Sequence, residues 1–258
     1  MPLPALFIAH GSPMLAVEDN EYTEAMARLG RALHKPRAVL LFSAHWDTSV
    51  TAVNASARYS MIYDFWGFPD ELYRIQYPAP GDPVLAERVA ARLEAQGVPV
   101  AMEGRRGLDH GAWVVLRRLF PAADVPVVAA SVVPALPASE QYRIGQALAD
   151  LRAEDVLIVG SGGTVHNLRA IMWDSAAVAD WALAFDDWLV DVISRWDLDA
   201  LFRYREAPGA DLAVPIHGNE HFVPLLYAMG AADATRQPRL WHRSYQYGTL
   251  SQCLWVFD

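Results

Sequence analysis

Four histidines stand where a strand-like run gives way to a loop or a helix. His10 ends ALFIAH and opens GSPM, His45 ends AVLLFSAH, and His166 follows VLIVGSGGTVH. His221 sits in HGNEHFVPLL, at the start of a helical run. Neutral imidazole is the commonest protein ligand for a metal ion near neutral pH. One such histidine is ordinarily a capping or hydrogen-bonded residue. Three strand ends carrying one each favour a metal centre assembled from distant parts of the chain. No HExxH helix competes for that role, and the single cysteine, Cys253, excludes a cysteine-based site and an internal disulfide. Spacing alone leaves open which of the eight histidines meet.

The remaining candidates have weaker contexts. His110, in GLDHGAWVVL, lies between Asp109 and Gly111 just ahead of a helix. It is either a loop residue capping that helix or an acid/base or hydrogen-bond donor toward a substrate. His217 precedes His221 by four residues, a spacing that suits a helical metal pair. Gly218 interrupts it, so His217 is expected to support the site from outside the ligand set. His34 and His242 have no context beyond a surface or partly buried position. GSGG at 160–163 lacks the lysine of a phosphate loop and the GxGxxG spacing, and reads as a tight turn presenting His166. No GxSxG elbow is present, which disfavours a serine hydrolase.

Residues 61–81, MIYDFWGFPDELYRIQYPAPG, are dense in aromatics, with prolines and glycines that break any period. The segment reads as a long ordered loop. Tyr63, Phe65 and Trp66 are its candidates to wall a flat aromatic molecule, and Ser12 is a further substrate-side candidate beside His10.

The elements that must position these residues follow from hydropathy patterning. Strand-like runs are Ala5–Ala9, Ala38–Ala44, Val50–Asn54, Val98–Met102, Val125–Val132, Val156–Val159 and Arg239–Tyr245. Helices alternate with them. One follows Asn20 as N-cap, with Tyr22, Met26, Leu29 and Leu33 on one stripe; one runs from Pro83 to Gly97. Others span Ser139–Leu151, Ala176–Ser194 and Asn219–Met229. This alternation predicts an α/β fold, a mostly parallel or mixed central sheet flanked by helices, in one domain over residues 1–258. In such folds chemistry gathers at the strand C-termini.

Composition narrows the function classes. The chain has 258 residues, 53% hydrophobic and 20% charged, with a net charge of −9, which is a globular rather than a disordered balance. No basic cluster offers a face for nucleic acid. No apolar run reaches the ~18 residues of a membrane helix. The first apolar stretch is too short for a signal peptide, so a cytoplasmic location is expected.

Taken together, FIAHGSPM, LFSAHWDT, YDFWGFPDELYRIQYPAPG, GLDHGAWVVL, SGGTVHNL and NEHFVPLLYAMGA resemble, in order, the motifs of a known family. The chain resembles the 4,5-DOPA dioxygenase-type class III extradiol ring-cleavage dioxygenases. These are related to the catalytic subunit of protocatechuate 4,5-dioxygenase. The resemblance implies a LigB-like fold and one mononuclear metal held by His10 and His45. In the wider superfamily the third ligand is a glutamate; here His221 takes that place, with Glu220 beside it. The resemblance makes His166 a general base that also closes onto the metal without substrate, and His110 a second histidine contacting substrate or oxygen. An exposed His166 titrating near its ordinary pKa of about 6.5 would be matched to that task. The chain departs from the plant pattern at HNLRAIMW, so the resemblance implies the catechol class rather than L-DOPA itself.

The implied activity opens a small aromatic diol with O₂, using Fe(II), with Zn(II) able to occupy the site as purified. The implied partners are that diol and O₂, and the protein is a monomer or homodimer. Two other readings share the histidines: a zinc-dependent amide or ester hydrolase, with His166 or Glu220 as base, and a non-catalytic metal-binding protein.

Overall fold

A computed structural model describes residues 2–173, 175 and 177–258. Its strands are β1 (Ala5–Ala9), β2 (Ala38–Asp47), β3 (Thr51–Asn54), β4 (Val100–Glu103), β5 (Val127–Val132), β6 (Val156–Gly162), β7 (Pro238–Gln246) and β8 (Leu250–Phe257). They form one mixed sheet in the order β4-β3-β5-β2-β6-β1-β8-β7. The four central strands, β5, β2, β6 and β1, are mutually parallel. Beyond them β8 runs antiparallel to β1, β7 antiparallel to β8, and β3 antiparallel to β5. Every residue of β1, β5 and β6 is buried, as expected of parallel strands covered on both faces.

The helices are α1 (Glu21–Ala32), α2 (Pro83–Ala95), α3 (His110–Leu119), α4 (Ala138–Leu148), α5 (Asp180–Ser194), α6 (Leu198–Phe202), α7 (Ala210–Ala213) and α8 (Val223–Ala231). Local chemistry explains their ends. The Asn20 side chain accepts from the backbone of Tyr22 and Thr23, and Thr23 reciprocates, forming a capping box for α1. Asp82 caps α2, Pro83 fills its first turn, and Gly97 terminates the segment with φ +77°. On α1, Tyr22, Met26 and Leu29 are buried, and Leu33 packs partly buried against the core. Helix α3 packs on β2 and β6, and α8 on β6, β1 and β2.

Three findings correct the sequence reading. The hydropathy pattern leaves the chain after Tyr245 unassigned, yet β8 lies between β1 and β7 with every residue buried. Its run LSQCLWVF does not alternate, because neither face meets water. The expected turn at GSGG begins later, since β6 continues to Gly162. A Cβ at Gly160 would lie 2.1 Å from the Pro224 carbonyl oxygen, and one at Gly162 would lie 2.1 Å from that of His221. The glycines therefore admit the start of α8 against the strand. The helix expected from Ala176, which lies outside the described residues, is seen from Asp180.

The expected helix over Asn219–Met229 is a 3₁₀ turn, Asn219–His221, followed by α8. Residues 55–82 contain only one short 3₁₀ turn, Leu72–Arg74, in keeping with a long ordered loop.

Candidate metal centre and active site

The C-terminal ends of β1, β2 and β6 lie side by side, and five imidazoles gather there. His10 directly follows β1; its backbone N–H donates to the Gly162 carbonyl at 3.1 Å. Tyr22 anchors the same corner by donating to the Ala9 carbonyl at 2.5 Å. His45 sits where the pairing of β2 with β5 shifts register, between Ser43 and Asp47. There the Ser43 hydroxyl accepts from the His45 N–H at 3.2 Å and donates to Asp109 at 2.6 Å. Arg106 donates to the His45 carbonyl at 2.9 Å and to Asp109 at 3.0 Å. His221 ends its 3₁₀ turn with its carbonyl accepting from the Gly163 N–H at 2.8 Å.

The partners of three rings fix their tautomers. Ser161 spends its only proton on the Gly111 carbonyl at 2.5 Å, so it must accept from His10 Nδ1 at 3.1 Å. The Glu220 carboxylate lies 2.9 Å from His221 Nδ1, and the Asp64 carboxylate 3.2 Å from His45 Nδ1. Each Nδ1 therefore carries the proton, and each Nε2 is left with a bare lone pair. The Nε2 atoms of His10 and His45 face each other at 3.0 Å. The Nε2 of His221 is buried with no hydrogen-bond partner. Lone pairs so opposed repel unless a cation sits among them.

One ligand atom each from His10, His45 and His221 lies within 4.8 Å of the others. Two nitrogens bound at about 2.0–2.1 Å and a right angle would be roughly 2.9 Å apart. The donor set thus fits a divalent metal, with imidazole softness suited to iron or zinc. Burial, followed by the mutual repulsion of neighbouring imidazolium forms, holds the pKa values of His10 and His221 well below the ordinary histidine value. Both rings are consequently neutral and ligand-competent at neutral pH. His45, Asp64 and His110 form a second possible cation group. His110 Nδ1 is already hydrogen-bonded to the carboxylate at 2.9 Å, and His45 Nδ1 lies 3.2 Å from its other oxygen.

His110 is the first residue of α3, whose N-cap is Asp109. Its ring is buried, with its centroid 4.0 Å from that of His45 and its Nδ1 2.9 Å from Asp64. His166 stacks flat on His221, with centroids 3.7 Å apart and planes 6° apart. The two rings lie face to face, and His166 is not in the three-nitrogen group. His166 is partly buried and not exposed as expected. Burial, then the neighbouring His221, lowers its pKa well below the ordinary value.

The aromatic candidates separate. Phe65 is buried and meets His110 edge-on, centroids 5.7 Å apart. Tyr63 stands behind Phe65 and donates to the Ile75 carbonyl at 2.7 Å. Trp66 points outward, 87% exposed. Ser12 caps the 3₁₀ turn Pro13–Ala16 by accepting from the Met14 N–H. His217 is exposed and is found in no contact with the other imidazoles among the described residues. Gly218 has φ −171° and ψ 25°, so the segment is not helical and a four-residue spacing cannot stack the two side chains.

Asp64 and Ser161 escaped the sequence reading as partners of the ligands. The carboxylate was legible only as one letter in the aromatic run YDFWGFP.

The profile described as "Catalytic LigB subunit of aromatic ring-opening dioxygenase" matches residues 4–258. The chain belongs to the aromatic ring-opening dioxygenases. This ring-opening dioxygenase is 42% identical to a 4,5-DOPA dioxygenase extradiol of Beta vulgaris, over 95% of this chain and 92% of that protein. It is 39% identical to a 4,5-DOPA dioxygenase extradiol of Escherichia coli strain K12, over 96% and 92% respectively. The crystal structure of an uncharacterized protein from Escherichia coli K12 superimposes with a TM-score of 0.86 at 34% identity, covering 99% of this chain and 100% of that one. The dioxygenase is thus an extradiol-type oxidoreductase acting on an aromatic substrate with O₂. These likenesses lend no support to a hydrolase.

Proposed function

We propose that His10, His45 and His221 hold one divalent metal, Fe(II) in the active enzyme, and that the site opens a small catechol, DOPA-like or related, beside its two hydroxyls. The observation that carries this reading is the set of three Nε2 atoms, each bared by a partner on Nδ1 and one of them buried without any other use. Coordinating histidines characteristically have their second nitrogen tethered in this way.

When bound, the metal supplies a Lewis acid that lowers the pKa of a chelated diol and a redox centre between diol and O₂. The protein's residues supply the rest. A catechol arrives protonated, since phenols ordinarily titrate near pH 10. Neutral His166 and His110, flanking the ligand set, are available to take its protons and later return one to an oxygen of the opening ring. The buried edge of Phe65 closes the His110 side against water and offers an aromatic wall.

Zinc outcompetes ferrous iron for nitrogen ligands. Protein purified aerobically is therefore expected to carry zinc and to be inactive toward catechols. Anaerobic reloading with Fe(II), followed by oxygen uptake and absorbance assays over a catechol panel, is expected to yield a visible ring-fission product. No O₂ consumption with any catechol, or hydrolysis by the zinc form without O₂, would defeat the reading.

A further inference from the structure

We infer that Asp64 is a positioning residue that sets two histidines of the site at once. It holds His45 with its Nε2 bare for the metal and His110 with its Nε2 bare toward the substrate. The inference rests on the metal-dependent reading above for what those two rings serve.

Asp64 comes from the aromatic loop, and its two oxygens divide the task. Oδ1 accepts from His110 twice, from the backbone N–H at 3.0 Å and from ring Nδ1 at 2.9 Å. Oδ2 lies 3.2 Å from His45 Nδ1. A carboxylate accepts on both oxygens and donates on neither, so both rings must carry their protons on Nδ1. The two rings are already in contact, centroids 4.0 Å apart. One side chain thus couples a ligand to a substrate-side histidine.

Asp64→Asn is a discriminating change because an amide has one accepting oxygen and one donating nitrogen. The oxygen stays at His110, where two donors converge on one atom. The NH₂ group then faces His45 Nδ1, which must become an acceptor, and the His45 proton moves to Nε2. The variant should lose metal affinity while His110 keeps its tautomer.

The first measurement uses the unmutated, metal-free protein. Nitrogen-15 spectra of its imidazoles should show both His45 and His110 protonated at Nδ1. The second titrates Co²⁺ into wild type, D64N and D64E and follows the visible spectrum. D64N should raise the dissociation constant by roughly 10–100-fold, the range for partners of ligating histidines. D64E should recover part of that loss. A bare Nδ1 on either ring in the wild type, or equal Co²⁺ affinity in folded D64N, overturns the inference. Failure of the wild type to bind Co²⁺ would instead sink the proposed metal centre, and the imidazole spectra would still decide the role of Asp64.

Discussion

Alanine at His10, His45 or His221 is expected to abolish metal retention, because each removes one of three converging nitrogens. Alanine at His166 should leave the metal in place and lower turnover by about 10²-fold or more, the usual contribution of a proton-transferring group. Elemental analysis beside oxygen uptake separates the two classes; full metal content in His10→Ala would contradict the assignment. The histidines themselves were readable in the sequence, because each follows a strand or opens a helix. Their tethers were not. Ser161 lies 151 residues from His10, and Asp64 46 residues from His110. Nothing local marks a serine or an aspartate as a partner across such gaps, since the pairing exists only once the sheet has brought strand ends together.

At the scale of elements, the glycines of β6 decide how closely the His221 turn approaches the sheet. Gly162→Ala would place its Cβ 2.1 Å from the His221 carbonyl oxygen, a backbone atom that cannot swing aside. The variant is expected to lose about 1–3 kcal/mol of stability, as overpacked sites do, and to bind metal more weakly because His221 is displaced. Denaturant unfolding and Co²⁺ titration check both; wild-type behaviour in each would show that the turn adapts freely. Element boundaries were legible where chemistry is local. Asn20, Pro83 and Gly97 mark their helix ends through chemistry confined to the neighbouring residues. The GSGG run was misread because its glycines answer to α8, distant in sequence. Strand β8 was missed because burial on both faces erases the alternation by which strands are usually detected.

Across the whole molecule, acid stability depends on fastenings between helices. Asp233, just beyond α8, accepts from Tyr142 and Gln146 of α4 at 2.6 and 2.8 Å and pairs with Arg236 at 2.9 Å. Burial pushes its carboxyl up, yet the bonds from Tyr142, Gln146 and Arg236 win and hold it below the ordinary value. A lowered carboxylate pKa means that the unfolded chain binds the proton first. The contribution of Asp233 is thus complete above the unfolded value near 4 and is lost as pH falls through the folded one. Asp233→Asn should cost about 1–2 kcal/mol at neutral pH and progressively less in acid. Equal losses in unfolding experiments at pH about 7 and about 3 would show that the charge is immaterial. The fold class was legible because strands and helices alternate along the chain. The strand order was not, since β1 pairs with β6, beyond the middle of the sequence, and with β8, near its far end.

That last pairing bears on how the protein is born. The strand leading into His10 leaves the ribosome long before one of its partners, because Ala5 pairs with Phe257. Until translation delivers that partner, one flank of the strand stays open to unwanted association. Strand β6, its other neighbour, emerges well before β8 and can cover only the opposite flank. The nascent polypeptide therefore holds an unfinished catalytic pocket until β8 has emerged to flank β1.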